Sequence, residues 1–592
     1  MDSRLPMLVL AALLTWVRPS QAQSVPPGKV LPLRVQAGRC ECVLPTAQSD
    51  DKYYLIVGCL APDTGRHRVH VRTEASSLPV DVALEAATRD PQWTERSRTW
   101  RDRLERARRA MPLADELPAA PPPAARTFHL FVREHGFEKA DGYVAVVGDL
   151  RAIGRHCQVY VDRACQADLQ PTLDDTVRTF DEEIYPQTLP CLGRPLDVDR
   201  DGRFTLLFTP WLGKLADGKV AVSGFVRGSD FDRDGLLPYS NRCDMIYLNS
   251  DLTPGPHLRT VLAHEYTHAV CFCQHVLGRY LPDTPPHAEE SWLDEALAHV
   301  VEDEHGHGWS NLDYRISAFL SAPERSPLVV PEYYSAGLWR DPGCRGATYL
   351  FLRWCADRFG PDLVRRLVQS NLSGITNLET ETGERFPELF RQWSASLFLS
   401  HCGWGDEFAP LSRISLRQPL AGRLLAGPRP VEMRLADTQE IELTGTSSAY
   451  VLLHCPAGAR TRLTITAEPK AVLQVSLVRL PPHTARLSLR AEPEATDTFH
   501  LVLTAHDADV TLREAAWERL RPQQNRSEDT SYRAEQAPGK GTQAWFGDPH
   551  LRAGSSRRSA VLRSPCHEDP TVWKVTATDA AGHHVAAWLL MP

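Results

Sequence analysis

A chain of 592 residues is longer than one hydrophobic core organises, which implies roughly three to four domains. With 42% hydrophobic and 24% charged residues and a mean hydropathy of -0.31, the composition excludes bulk disorder, a collagen-like chain and a coiled coil. A net charge of -8 gives no pull toward nucleic acid or anionic lipid, and neither is expected as a partner.

Residues 1–22 read as a secretory signal peptide. Arg4 precedes an apolar run, Leu5 to Val17, and Ser20-Gln21-Ala22 supplies the small residues of a cleavage site. The run is too short to span a bilayer, and no later run is long enough, so no membrane span is expected. The expected localisation is secreted, periplasmic or extracellular, after cleavage near Ala22. Export permits disulfides among the 14 cysteines.

Residues 23–111 are expected to form an N-terminal β-rich domain with strands at Lys29–Val35, Tyr53–Cys59, His67–Arg72 and Val80–Leu84. An amphipathic helix from Trp93 to Met111, with an arginine-rich outer face, closes it. A stiff proline- and alanine-rich linker, 112–126, follows. Residues 127–405 change to mixed strands and longer helices. Residues 406–520 return to strands (Ala449–Cys455, Thr461–Ala467, Val472–Val478, Ala485–Arg490, Phe499–Thr504), as in a second β-sandwich. Residues 521–592 read as a polar flexible segment with terminal strands at Val572–Thr578 and Val585–Leu590.

The chemistry concentrates at Leu262-Ala263-His264-Glu265-Tyr266-Thr267-His268-Ala269-Val270. On a helix, positions four apart share a face, so His264 and His268 can bind one ion while Glu265 stands beside them as a general base. Neutral imidazoles suit zinc, leaving room for a carboxylate and a water. The motif alone arises readily by chance. Its apolar flanks argue for a metal, because a buried His, Glu, His set without one is costly. The third ligand is sought in Ser291-Trp292-Leu293-Asp294-Glu295-Ala296-Leu297-Ala298-His299, a second helix. Glu295 is the candidate. Glu289 and Glu290 are rivals expected to be exposed, and Asp294 and His299 are read as groups that orient the ligands. Glu302 and Asp303 either do the same or face solvent.

The second helix resembles the WLNEGLA-type helix of gluzincin metallopeptidases, with Asp294 for the usual asparagine and Ala296 for the usual glycine. More widely, Phe180–Pro186, Pro195–Arg203, Asp244–Asn249, Gly346–Leu352 and Asp357–Gly360 follow an order similar to the hyicolysin-type family of secreted zinc peptidases. The resemblance covers about residues 127–405 and departs from the family at Arg345. It implies an α+β zincin-like catalytic domain, which, with the strand-rich flanks that the resemblance does not cover, makes a multidomain molecule with β-sandwich-like domains on either side. It also implies one catalytic Zn2+ on His264, His268 and Glu295, with Glu265 as the base. A protein or peptide substrate would extend along the edge strand Met245–Asn249, and Tyr349, or else Tyr334, would stabilise the oxyanion. A tyrosine packed in the core is the competing reading for each.

Two acidic loops, Asp197-x-Asp199-x-Asp201-Gly202 and Asp230-x-Asp232-x-Asp234-Gly235, match the start of a calcium loop. Neither carries the glutamate at the twelfth position. Asp197, Asp199 and Asp201 are the candidate Ca2+ ligands, with a metal-free acidic turn as the alternative. Three functional readings follow: a secreted zinc endopeptidase; a secreted binding protein on a catalytically silent peptidase fold; and, added to the first, a propeptide role for the N-terminal domain, with Cys40 or Cys42 as a temporary ligand. Cleavage specificity, disulfide connectivity and oligomeric state are not legible in the sequence.

Overall fold

The computed structural model describes residues 25–591 apart from 47–50, 87–89, 111–120, 134–138, 232–238, 278–286, 308, 400–415, 417–418, 421–422, 426, 481–486, 496–497, 507–508, 524–530, 537–545, 547, 553, 564–570 and 580–583. The leader expected at 1–22 and most of the linker lie outside the described residues. Among the described residues, no helix is long and apolar enough to cross a membrane.

The molecule is mixed α/β with several sheets. Its centre is a six-stranded sheet in the order Ala125–Phe131, Tyr143–Ile153, Cys157–Asp162, Phe204–Thr209, Met245–Asn249, Gly224–Phe225. The inner pairs are parallel: Cys157–Asp162 with Phe204–Thr209, and Phe204–Thr209 with Met245–Asn249. Those inner strands are covered on both faces, which is why FTLLFT and MIYLN are continuously apolar or buried instead of alternating. Side chains divide with period two. Leu206, Phe208, Ile246 and Leu248 enter the main core, while Leu207, Met245 and Tyr247 enter a smaller core on the other face.

The main core is shared with several helices, four of which pack in series. Pro256–Phe272 packs against Ser291–Glu304, which packs against Pro342–Phe359, which in turn packs against Trp309–Ser321. The last contact is close: a Cβ on Gly346 would meet the Arg315 carbonyl oxygen, so only glycine fits that crossing. Pro342–Phe359 opens on Asp341, whose carboxylate caps the Cys344 amide at 2.8 Å, followed by Pro342 at the first position.

The flanking domains differ from expectation. Strands 30–76 and strands 431–479 do not form separate sandwiches; they share two sheets. One runs Val30–Leu33, Leu473–Arg479, Asp51–Cys59, Ser448–Cys455, Val431–Met433. The other runs Thr438–Thr444, Arg66–Ser76, Arg460–Ala467, Arg39–Leu44. Their inward faces make one core of residues from both segments, including Tyr53, Val57, Val69, Val451, Leu463 and Val475. Neither segment alone supplies two complete sheets, which is the physical reason for the merger. Cys40 and Cys42 lie buried inside this core on Arg39–Leu44.

A second sandwich spans 487–591, with its own core around Phe499, Leu503, Leu512, Trp573 and Val575. The segment expected to be flexible contributes Ser531–Gln536, which pairs with the end of Val510–Gln523. The helix Pro91–Ala110 is not simply solvated on its arginine face: Arg108 forms a buried ion pair with Glu381 at 2.7 Å. The twelve described cysteines are all thiols, most of them buried, and behave as small hydrophobes instead of the expected disulfide partners.

Candidate metal centre

Pro256–Phe272 carries His264, Glu265 and His268, and Ser291–Glu304 carries Asp294, Glu295, His299 and Glu302. The packing of these two helices brings His264, His268 and Glu295 together, with one ligand atom of each within 4.8 Å of the others. The two Nε2 atoms lie 3.1 Å apart, and Glu295 Oε2 lies 3.3 Å from His264 Nε2 and 3.9 Å from His268 Nε2.

Each imidazole is oriented from behind by a carboxylate. His264 Nδ1 lies 3.2 Å from Glu302 Oε2, and His268 Nδ1 lies 2.8 Å from Asp294 Oδ2. Protons on both Nδ1 atoms leave two Nε2 lone pairs facing each other, a repulsive arrangement that a cation relieves. Tetrahedral zinc–nitrogen bonds of about 2.0–2.1 Å set neighbouring ligand atoms about 3.3 Å apart. Two imidazoles and a carboxylate at these separations therefore fit such an ion.

Burial pulls His264 down to about 3, with Glu302 acting against it. His268 is also pulled down by burial, but Asp294 outweighs this and its net shift is upward. Burial pushes the Glu265 carboxyl up to about 7, which His268 and Arg345 oppose. A carboxyl titrating near neutrality can both take and return a proton at physiological pH.

Other candidates fall elsewhere. His299 is fully buried, its Nδ1 2.9 Å from Glu302 Oε1 and its ring 4.8 Å from that of His264, so His264, His299 and Glu302 form a second trio whose ligand atoms lie within 4.8 Å of one another. Asn311 Nδ2 donates to both Glu302 oxygens at 3.1 Å. Glu289 and Glu290 point away from the histidines. Glu289 is buried, not exposed, and accepts from Gly374 and Asn377, while Glu290 accepts from Trp292 Nε1. Tyr349 donates its hydroxyl to buried Asp303 at 3.1 Å, so the phenol is committed there. Tyr334 is 53% exposed, with its ring stacked on Trp339.

Met245–Asn249 is not the edge strand. Gly224–Phe225 pairs antiparallel with it and takes the edge. A Cβ on Gly224 would lie 3.0 Å from Glu265 Cγ and 2.9 Å from Val261 Cγ1, so the edge strand rests directly on the histidine helix.

At the first acidic loop, Asp197 and Asp199 converge with Asp244 in place of Asp201. Asp201 is turned aside, receiving Gln158 Nε2 at 2.6 Å and the Arg203 amide at 2.9 Å. Arg126 Nη1 donates to Asp199 at 2.6 Å and already supplies positive charge there. In the second loop, Asp230 is buried against Arg227, Tyr247 and Asn241, and Asp232 and Asp234 lie outside the described residues.

Sequence reasoning missed Asp244, Asn311 and Gly224, and met Arg345 only as an anomaly. That arginine interrupts Pro342-Gly343-Cys344-Arg345-Gly346-Ala347-Thr348, a stretch otherwise small or apolar, and its Nη1 contacts Glu295 Oε2.

No family model matches the chain. A stretch of 149 residues, 24% of the chain, is 29% identical to a neutral metalloprotease, ShpI, of Staphylococcus hyicus. The match covers 32% of that protein, so the chain spans about a third of the length of its curated relative. The likeness supports a relationship to metalloproteases.

Proposed function

We propose that the protein is a zinc-dependent endopeptidase of the gluzincin type, on a zincin-like domain, acting on proteins outside the cytoplasm. The observation that carries this reading is the convergence of His264, His268 and Glu295 with Glu265 beside them. Export rests on the leader-like segment before Gln23. A zinc ion on those three residues would supply Lewis acidity, activating water near neutral pH and polarising a peptide carbonyl.

The chain's own groups do the rest. Asp294 and Glu302 hold the two imidazoles in their orientation. Glu265 takes the proton from the attacking water and returns it to the departing amine. Gly224–Phe225 offers an unpaired edge on which an extended substrate can add as a strand, next to Glu265.

Glu265→Gln tests the assignment. The variant should keep one zinc per chain and lose casein cleavage by at least about 10²-fold; undiminished cleavage rejects the role. One observation favours a second reading, a secreted binding protein on a silent fold: Arg345 touches Glu295 where the ion would lie. Stoichiometric zinc with no turnover on a peptide library would support that reading.

A further inference from the structure

Arg345 is an unusual resident of this site. Its side chain is only 15% exposed, its Nη1 contacts Glu295 Oε2, its Nη2 donates to the Trp339 carbonyl at 3.1 Å, and it lies 5.3 Å over the Tyr333 ring. Its Nε is buried without a hydrogen-bond partner among the described residues. The helix that carries it is held close by Gly346 against Trp309–Ser321, so the guanidinium is presented from a rigid element. Glu295 balances this buried cation as long as its carboxylate is free; were that carboxylate given to a metal ion, the guanidinium would need another negative partner. Peptide hydrolysis develops such charge on the carbonyl oxygen. The Tyr349 hydroxyl is committed to Asp303, and Tyr334 stands 53% exposed with its ring on Trp339.

Resting on the endopeptidase reading, we infer that Arg345 is a catalytic residue that donates an N–H hydrogen bond to the scissile carbonyl oxygen as it becomes an oxyanion. As water adds, the O–C bond forms, the C=O π pair moves to the carbonyl oxygen beside the guanidinium, and the water proton passes to Glu265. The C=O bond then re-forms and the C–N bond breaks. Its electron pair leaves on nitrogen, which takes the proton from Glu265.

The test uses the full-length, zinc-loaded protein and its Arg345→Met and Arg345→Lys variants. Four quantities are measured: zinc affinity by chelator competition, kcat and KM on a fluorogenic peptide, affinity for a phosphonamidate peptide that mimics the tetrahedral species, and affinity for the product peptide. In Arg345→Met, zinc affinity should hold or rise, because Glu295 loses a competing cation, KM should stay within about threefold, and kcat should fall about 10²–10³-fold. Phosphonamidate binding should weaken in parallel and product binding should not. Lysine should restore about tenfold of the loss, lacking the forked geometry of arginine.

Unchanged kcat and phosphonamidate affinity in Arg345→Met would overturn the inference. So would a kcat loss that merely tracks lost zinc, or zinc binding that appears only once the guanidinium is removed. If the parent protein binds zinc and the phosphonamidate but turns over no peptide, the endopeptidase reading fails. The phosphonamidate comparison then still decides on Arg345.

Discussion

Glu289 shows how one buried carboxyl sets a pH dependence. Its oxygens receive the Gly374 amide at 2.5 Å, the Glu290 amide at 2.8 Å and Asn377 Nδ2 at 3.0 Å, yet burial pushes it up to about 8. In an unfolded chain a glutamate releases its proton near pH 4.3. Between those values the folded state holds the extra proton, so stability falls as pH rises, by about 1.4 kcal/mol per unit. His275, 3.7 Å away and pushed by burial down to about 4, is neutral in the upper part of this window. Urea titrations should therefore show the parent losing roughly 2 kcal/mol between pH 6.5 and 8, with Glu289→Gln keeping only the shallower fall that Glu265, at about 7, contributes. Parallel curves for the two would show that Glu289 is not the source. At this scale the sequence was informative where spacing encodes geometry. His264 and His268 are one turn apart on one face, and Asp294 adjoins Glu295. It was uninformative where a partner comes from a distant segment: nothing local says that Glu302 meets His264, or that Tyr349 is spoken for by Asp303.

The edge strand Gly224–Phe225 has a role out of proportion to its two residues. It is too short for any alternation to show, so sequence patterning passes the edge to Met245–Asn249, its inner neighbour. Its position depends on the missing side chain of Gly224, where an added Cβ would collide with Val261 Cγ1 at 2.9 Å and crowd Glu265 Cγ at 3.0 Å. Gly224→Val should push the strand off the histidine helix. We expect kcat/KM to fall about 10²-fold, because small displacements of a bound substrate are costly, while zinc stoichiometry stays at one. Unaltered kinetics would mean that this strand does not guide the substrate. Longer elements were legible: Pro256–Phe272, Ser291–Glu304 and Ser448–Cys455 fall within a few residues of their expected positions, because their apolar patterns extend over whole turns or whole strands.

At the scale of the molecule, period-two alternation tells a strand which face to bury but not which strand to pair with. That is why the two flanking segments read as two sandwiches and fold as one. The merged sandwich is tied to the helical domain through Phe386–Leu399. Tyr450 donates to the Ser394 carbonyl at 2.9 Å, Gln474 to the Pro387 carbonyl at 2.9 Å, and Arg391 to Ser476 Oγ at 3.2 Å. Cutting the chain within 111–120 should therefore not release the N-terminal part. The two fragments should co-elute on size exclusion in buffer and separate only in denaturant. Separation in buffer would instead favour the N-terminal part as a removable propeptide.

The shared sheets also impose a waiting time on biosynthesis. Strand Arg66–Ser76 lies between Thr438–Thr444 and Arg460–Ala467, whose paired residues stand 366 to 398 positions further along the chain. At about 5–20 residues per second, the ribosome needs roughly 20–80 s to deliver them. For that interval the early strands expose unpaired edges and an apolar face, so the growing chain needs a holdase or prompt export before its first domain can close.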